Sequence, residues 1–282
     1  MKHLLYLIPL FAFGCDIPST TTKPATHVEN RKESPVQELP PAPSKEQPAT
    51  AREVEEPPAT ADGRPTEEAP PEKAPPIPEG YKPLNKAKTI FFEKREDGTR
   101  RVHLLAEVCL REGPLEVFLC KWNTKEHEAI LHVDADGRDI HLALIAAGAE
   151  PGSPVKFVPQ YSPATGTVVK VSVTYREKGK VKTTAAGSWV KDVKTGKDMA
   201  HDWVFAGSKF FQDPERPNAT PYYCANNGEL ISLANFPDSM LDLPVKSSKD
   251  AADLLFEIQT PRIPPLRTPV LVTLEPVVPR KK

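Results

Sequence analysis

The sequence predicts an α+β domain that is dominated by strands in a mainly antiparallel sheet and carries one clear helix. Residues 167–175, TVVKVSVTY, alternate valine with polar side chains, which is typical of a half-buried strand. Residues 138–147 combine an acidic start with alanine-rich helix formers, and Gly148 follows as a stop. Long helices do not alternate with strands along the chain, so a doubly wound parallel sheet is disfavoured.

The first 14 residues have the features of a secretory signal peptide. A basic start precedes an apolar run from Leu4 to Phe13, which is too short to cross a membrane as a helix. Ala12 and Gly14 stand at the −3 and −1 positions before Cys15, and this arrangement resembles a bacterial lipobox. The resemblance implies that Cys15 carries a lipid and becomes the mature N-terminus. The alternative is a plain secreted protein that is cut at the same bond.

Residues 15–80 are predicted to be a disordered linker that begins at the lipidated cysteine. The segment is rich in Pro, Glu, Ala, Thr and Lys and has few large apolar residues. Such a composition cannot bury enough apolar surface to offset the entropy of ordering, and proline disrupts helices and sheets. Fully extended, the linker would reach about 200 Å. We expect a tether that holds a domain away from the bacterial membrane, with a spacer of unconstrained length as the alternative.

Residues 81–282 form the predicted globular domain. The formal net charge of the chain is −1 and no basic patch stands out, so nucleic acid is not expected as a partner. A short second helix is predicted to begin at Ser247 or Ser248. The predicted strands are residues 102–110, 115–120, 167–175, 181–184, 203–208, 228–233, 254–258 and 270–274.

The stretch CKWNTKEHEAILH, Cys120 to His132, concentrates residues that could build a site. It superficially resembles the zinc-protease motif H-E-x-x-H, in which two histidines four apart share one face of a helix. Here His127 and His132 are five apart, which places them on different faces of a helix or of a strand. The zinc-protease interpretation is therefore rejected.

A second arrangement brings in residues from outside this stretch. Two imidazoles and a thiolate suit zinc or copper, and a helix packed on a sheet could bring His141 close to His127. The alternative is that His127 hydrogen-bonds at a strand edge and His141 is a satisfied helix histidine. Catalysis by a Cys–His pair, or by Glu126 or Glu128, is a further alternative. The candidate metal or ligand residues are Cys120, Glu126, His127, Glu128, His141 and Cys224.

The cysteine pattern limits the redox chemistry. An iron–sulfur cluster needs four thiolates, whereas only Cys109, Cys120 and Cys224 follow Cys15, and no C-x-x-C motif is present. If Glu112-Gly113 is a two-residue hairpin turn, Cys109 and Cys120 lie about 13 Å apart, too far for a disulfide. Cys224 remains open as a partner for either.

Several long segments in the domain resemble the YdjY-domain family of bacteria. The resemblance covers residues 88–276 and implies little chemistry, because it brings no established activity with it. Members are sometimes labelled ferredoxin-like, which the missing fourth thiolate does not support. The segments are GPLEVFLC (Gly113 to Cys120), TKEHEAIL (Thr124 to Leu131), IHLAL (Ile140 to Leu144), AAGAEPGSP (Ala146 to Pro154), DWVFAGS (Asp202 to Ser208), NGELISLANFP (Asn227 to Pro237) and MLDLP (Met240 to Pro244).

Together these observations predict a lipid-anchored protein of the bacterial cell envelope whose β-rich domain binds an envelope protein or a ligand. The absence of a phosphate loop, a dinucleotide fingerprint and a hydrolase elbow favours a binding protein over an enzyme. The rival hypothesis is a metal-binding or redox protein that uses His127, His141 and a cysteine.

Overall fold

A computed structural model describes residues 70–247 and 255–278. These residues contain one α-helix, α1 (Gly137–Ala146), and three 3₁₀ turns, Ala186–Trp189, Cys224–Asn227 and Thr260–Arg262. The strands are β1 (Lys82–Pro83), β2 (Ile90–Lys94), β3 (Arg100–Val108), β4 (Pro114–Leu115), β5 (Val117–Lys121), β6 (Ala129–Val133), β7 (Val168–Glu177), β8 (Lys180–Ala185), β9 (Val190–Asp192), β10 (Trp203–Phe205), β11 (Phe210–Phe211), β12 (Tyr222–Tyr223), β13 (Ile231–Ser232), β14 (Leu241–Asp242), β15 (Phe256–Ile258) and β16 (Pro269–Pro276).

Eight of these strands form a sheet that closes on itself. Their order is β3, β16, β7, β10, β14, β13, β5 and β6, and β6 pairs back onto β3. The β13–β14 and β5–β6 pairs are parallel, and the other neighbours are antiparallel. The predicted α+β class is therefore wrong, since a closed sheet with one ten-residue helix is closer to an all-β fold. Closure depends on strands of two or three residues, which are too short to show an alternating pattern.

The two longest strands of the described fold each change partner along one edge. Residues 100–104 of β3 pair with β2, whereas Glu107 and Val108 pair with β6. In β7, residues 172–177 pair with β8, whereas Val168 and Val169 pair with β10. Because β3 and β7 both run antiparallel to β16, β2 and β8 extend from opposite ends of the closed ring. A separate three-stranded sheet, β4–β15–β9, packs beside it.

The hydrophobic core confirms the predicted alternation of β7. Val169, Val171, Val173 and Tyr175 are buried, and the intervening side chains are partly or fully exposed. These inward side chains belong to one large cluster that also contains the fully buried side chain of Trp203. The core therefore lies inside the closed sheet, where burial of apolar surface provides most of the stabilising free energy.

Helix α1 confirms the predicted helix to within one residue at each end. The side chain of Asp136 accepts a hydrogen bond from the amide of Arg138 at 2.9 Å and caps the N-terminus. At the other end Gly148 takes a φ of 96°, which favours glycine and stops the helix. Ile140 and Leu144 are buried against the core.

Some of the predicted segments lie outside the described residues. These are the signal peptide, the lipidated Cys15, most of the linker and nearly all of the predicted second helix, of which only Ser247 is described. Within residues 70–80, the carboxylate of Glu72 accepts hydrogen bonds from the amides of Lys178 and Gly179. Among the described residues, no helix combines the length and apolar character needed to cross a membrane.

Candidate functional site

The stretch from Cys120 to His132 runs from the end of β5, through a turn, to β6. Lys125 anchors the turn, since its ammonium lies 2.9 Å from a carboxylate oxygen of Glu128 and 4.3 Å from the ring centre of Phe236. Cys120 and His132 are register partners in the parallel β5–β6 pair. The two ends of the stretch therefore lie side by side.

Cys120, His132 and Glu107 form a row across three strands on one face of the sheet. Glu107 and His132 are register partners in the β3–β6 pair, so their side chains point the same way. The neighbours of His132 along β6, Leu131 and Val133, belong to the core, so the row lies on the outer face. The Nδ1 atom of His132 is 3.3 Å from Glu126, and its Nε2 atom is 3.6 Å from Glu107.

The thiols of Cys109 and Cys120 are neighbours on this outer face. The Cys109 thiol donates a hydrogen bond to the carbonyl oxygen of Ala129 at 3.1 Å, and Cys120 packs with Ala129. The interaction with Cys120, followed by burial, raises the pKa of Cys109, and the interaction with Cys109 lowers the pKa of Cys120. The hairpin register suggested by the sequence is wrong, because β3 and β5 are not paired with each other; β6 lies between them.

His127 and His141 have different neighbours and share no recorded contact in the structure. The side chain of His127 is 76% exposed and has Glu128 as its ionic neighbour at 3.8 Å. On α1, the Nδ1 atom of His141 lies 2.9 Å from the hydroxyl of Tyr223, and its ring packs edge-on against Phe205. Burial lowers the pKa of His141. The hydroxyl of Tyr223 also donates to the carbonyl of Gly207, so His141 belongs to a packed hydrogen-bond network.

The remaining predicted ligands are also separated. Glu126 contacts His132, Glu128 contacts Lys125, and the buried Cys224 follows the aromatic residues of β12. In residues 70–247 and 255–278, no three His, Cys, Asp or Glu side chains are arranged to hold a metal ion. The predicted zinc or copper site thus has no counterpart in the described part of the chain.

One surface, which the sequence analysis did not single out, exposes several aromatic side chains. Strands β11 and β12 form a two-stranded sheet, named here the aromatic hairpin (residues 210–223). Phe210 and Phe211 are each 56% exposed, and Tyr222 is 45% exposed. The sequence signal is the pair of aromatic doublets, Phe-Phe and Tyr-Tyr, on either side of a polar loop.

A pocket of about 430 Å³ lies against this hairpin. Phe211 and Tyr222 contribute its aromatic walls, and Arg138 and Arg216 contribute cations. Both cations already have acidic neighbours: Arg138 lies 3.2 Å from Asp136, and Arg216 forms a pair within the hairpin loop. The pocket therefore combines aromatic walls with arginine charges that neighbouring carboxylates already compensate.

A comparison with protein-family models identifies the chain. The model of the YdjY domain matches residues 96–275. The chain belongs to the YdjY-domain family. No curated protein and no solved structure gives a significant match.

The YdjY domain contains the features described above. The matched range includes seven strands of the closed sheet completely and all but the final residue of β16. It also includes the Cys109–Cys120 pair and the aromatic hairpin. The predicted lipidation site, Cys15, precedes the YdjY domain. The resemblance recognised from the sequence is therefore confirmed for the domain.

Proposed function

We propose that the protein is a lipid-anchored component of the bacterial cell envelope whose YdjY domain binds a protein partner through the aromatic hairpin. The observation that carries the binding proposal is the exposure of Phe210, Phe211 and Tyr222 beside a pocket. Aromatic residues and arginine are enriched at the energetic centres of protein interfaces. The signal peptide pattern and Cys15 support the anchor.

The form of the surface favours a protein over a small ligand. The exposed aromatic surface extends beyond the pocket to Phe210, so a ligand that filled only the pocket would leave that ring in water. The backbone edges of the two-stranded hairpin can also pair with an extended segment. We therefore assign the pocket to an apolar side chain of the partner, with the neighbouring aromatic rings covered by its backbone.

Site-specific photo-crosslinking in the native host tests the binding surface. A photoreactive phenylalanine analogue replaces Phe211 in the full chain, and the same analogue replaces Val181 of β8 as a control of similar exposure, 49%. We expect one discrete protein adduct at position 211 and none at 181. Mass spectrometry identifies the partner, and Phe211→Ala should weaken its purified complex at least about tenfold. Equal adducts at both positions, or unchanged affinity, would refute the proposal.

The anchor is tested separately by metabolic labelling with an alkyne-bearing fatty acid. We expect label on the wild-type chain and none on Cys15→Ala, which should also leave the membrane fraction. Label that persists in this variant, or a wild-type chain without label, would contradict lipidation at Cys15. Because this test does not involve the hairpin, the two parts of the proposed function can fail independently.

A further inference from the structure

A second exposed apolar feature lies at the tip of a short loop, named here the apolar loop (residues 156–162). Two backbone hydrogen bonds close its base, since Lys156 and Ser162 each donate an amide to the carbonyl of the other, at 3.0 and 2.8 Å. At the tip, Phe157 is 43% exposed and Val158 is 84% exposed. Val158 is the most exposed of the large apolar residues in the described part of the chain. The loop therefore holds two adjacent apolar side chains in water.

Tyr161 attaches the apolar loop to the domain. Its hydroxyl donates to the side-chain oxygen of Asn235 at 3.4 Å, and its ring centre lies 6.1 Å from that of Phe157. Asn235 is buried and hydrogen-bonds to Asp242. The ammonium of Lys246 lies 5.8 Å from the centre of the Tyr161 ring. The base of the loop is thus fixed to the buried part of the domain, while the tip stays exposed.

We propose that the apolar loop inserts Phe157 and Val158 into the interfacial region of a membrane that contains anionic lipids. The charge of the surroundings supports this partner. Lys156 begins the loop, Lys246 lies beside Tyr161, and both lysines are exposed. Basic residues next to a membrane surface attract anionic headgroups. The ring of Tyr161 suits the same region, where aromatic side chains with a polar tip are enriched.

The size of the apolar tip favours a membrane over a protein partner. A protein interface of standard size buries about 800 Å² on each side, and two adjacent side chains on a narrow loop supply only a fraction of that area. A membrane needs no complementary shape, and each apolar side chain that enters it gains free energy in proportion to the area removed from water. The aromatic hairpin differs, because it exposes three rings beside a pocket.

A membrane anchor would strengthen this weak contact. A lipid at Cys15 would confine the domain to within the reach of the linker, so that insertion of the loop becomes an intramolecular step with a high effective concentration. Two apolar side chains would then be sufficient to orient the domain on the membrane. This strengthening rests on the anchor of the proposed function, whereas the affinity of the loop for lipid does not.

Photo-crosslinking to vesicles tests the proposal with the full chain. A photoreactive leucine analogue replaces Val158, and the same analogue replaces Val181 of β8, which is 49% exposed, as the control. The vesicles contain phosphatidylcholine, either alone or mixed with phosphatidylglycerol, and mass spectrometry identifies the adducts. In the mixed vesicles we expect at least about fivefold more lipid adduct at position 158 than at 181. Both chains carry the same N-terminal segment, so the difference between them reports on the loop.

Two sets of variants separate the apolar and the charged contributions. Phe157→Ser should lower the yield of lipid adduct at position 158, whereas Leu142→Ser, which removes an exposed apolar side chain of α1, should leave it unchanged. Lys156→Gln/Lys246→Gln should lower the yield at least about fivefold in the mixed vesicles and leave it unchanged in phosphatidylcholine alone.

Three results would overturn the proposal. These are equal lipid adducts at positions 158 and 181, no adduct at position 158, or a protein adduct in place of the lipid adduct, which would indicate a second copy of the chain. The vesicles contain no partner protein, and lipidation of Cys15 is measured separately by metabolic labelling. Failure of the loop proposal can therefore be distinguished from failure of the aromatic hairpin or of the anchor.

Discussion

The ammonium of Lys125 lies 3.2 Å from a carboxylate oxygen of Glu229, a side chain that is only 9% exposed. This ion pair joins the turn between β5 and β6 to the segment that precedes β13. Burial raises the pKa of Glu229, and Lys125 opposes that shift. The other carboxylate oxygen of Glu229 is buried without a hydrogen-bond partner among the described residues. Lys125 is therefore the main cation that stabilises the buried carboxylate of Glu229.

Replacing Lys125 with methionine should destabilise the domain by about 3 kcal/mol, because it leaves a buried carboxylate without its cation. Urea denaturation followed by tryptophan fluorescence measures the change. The double variant Lys125→Met/Glu229→Gln should recover much of the loss, because the uncompensated charge is then gone. Lys182→Met, which breaks an exposed pair with Glu177, is the control and should leave the midpoint unchanged. A loss of the same size in both single variants would contradict this account.

Asp242 is a buried carboxyl whose Oδ1 atom accepts hydrogen bonds from the amide of Leu243 at 2.8 Å and from Asn235 at 3.1 Å. Its Oδ2 atom is buried and has no partner in the described part of the chain. Burial raises the pKa of Asp242 to about 7, despite the opposing hydrogen bonds. Asp242 thus holds a proton in the folded state at pH values where it is ionised in the unfolded chain.

This shift predicts that Asp242 makes the protein less stable as pH rises. Between about pH 4 and pH 7 the folded state binds one more proton at this site than the unfolded state does, so stability falls by up to about 1.4 kcal/mol per pH unit. The Asp242→Asn variant should lack this component. Urea midpoints measured from pH 4 to pH 8 give the difference between the two profiles. Parallel profiles would show that Asp242 does not titrate as predicted.

Gly166 is predicted to be intolerant of any side chain. Its φ of 139° lies in the left-handed region, and a Cβ atom there would overlap the carbonyl oxygen of Phe205. We expect Gly166→Ala to destabilise the domain by more than about 3 kcal/mol, through backbone strain and steric overlap. Gly179→Ala is the matched control, because Gly179 has a positive φ but open space around it. It should lose about 1 kcal/mol. Thermal unfolding compares the two, and equal losses would refute the steric argument.

Local patterns in the sequence were sufficient for the elements that form from neighbouring residues. The predicted strands 167–175 and 181–184 occur as β7 and β8, and the turn between them has Lys178 and Gly179 with positive φ, as two-residue turns require. Helix α1 was found from its cap and its glycine stop. In both cases the sequence signal and the structure it forms lie within a few residues of each other.

The closed sheet and the thiol pair could not be derived in this way. Closure uses strands of two or three residues that pair with distant segments. The expectation that Cys109 and Cys120 form no disulfide agrees with their free thiols, but the hairpin register behind it is wrong, because β6 inserts between β3 and β5. Similarly, the hydroxyl that contacts His141 comes from Tyr223, 82 residues away. These contacts depend on topology, which local propensity does not encode.

The position of β16 between β3 and β7 has a consequence for when the domain can fold. His103 on β3 and Thr273 on β16 are hydrogen-bonded at 2.9 Å although they are 170 residues apart in the chain. Pairings of such long range impose a large loop-closure entropy and slow the folding reaction. A nascent chain that has not yet released residues 269–276 from the ribosome lacks the strand that joins β3 to β7. The fold of this domain is therefore completed only after residues 269–276 have been synthesised and released.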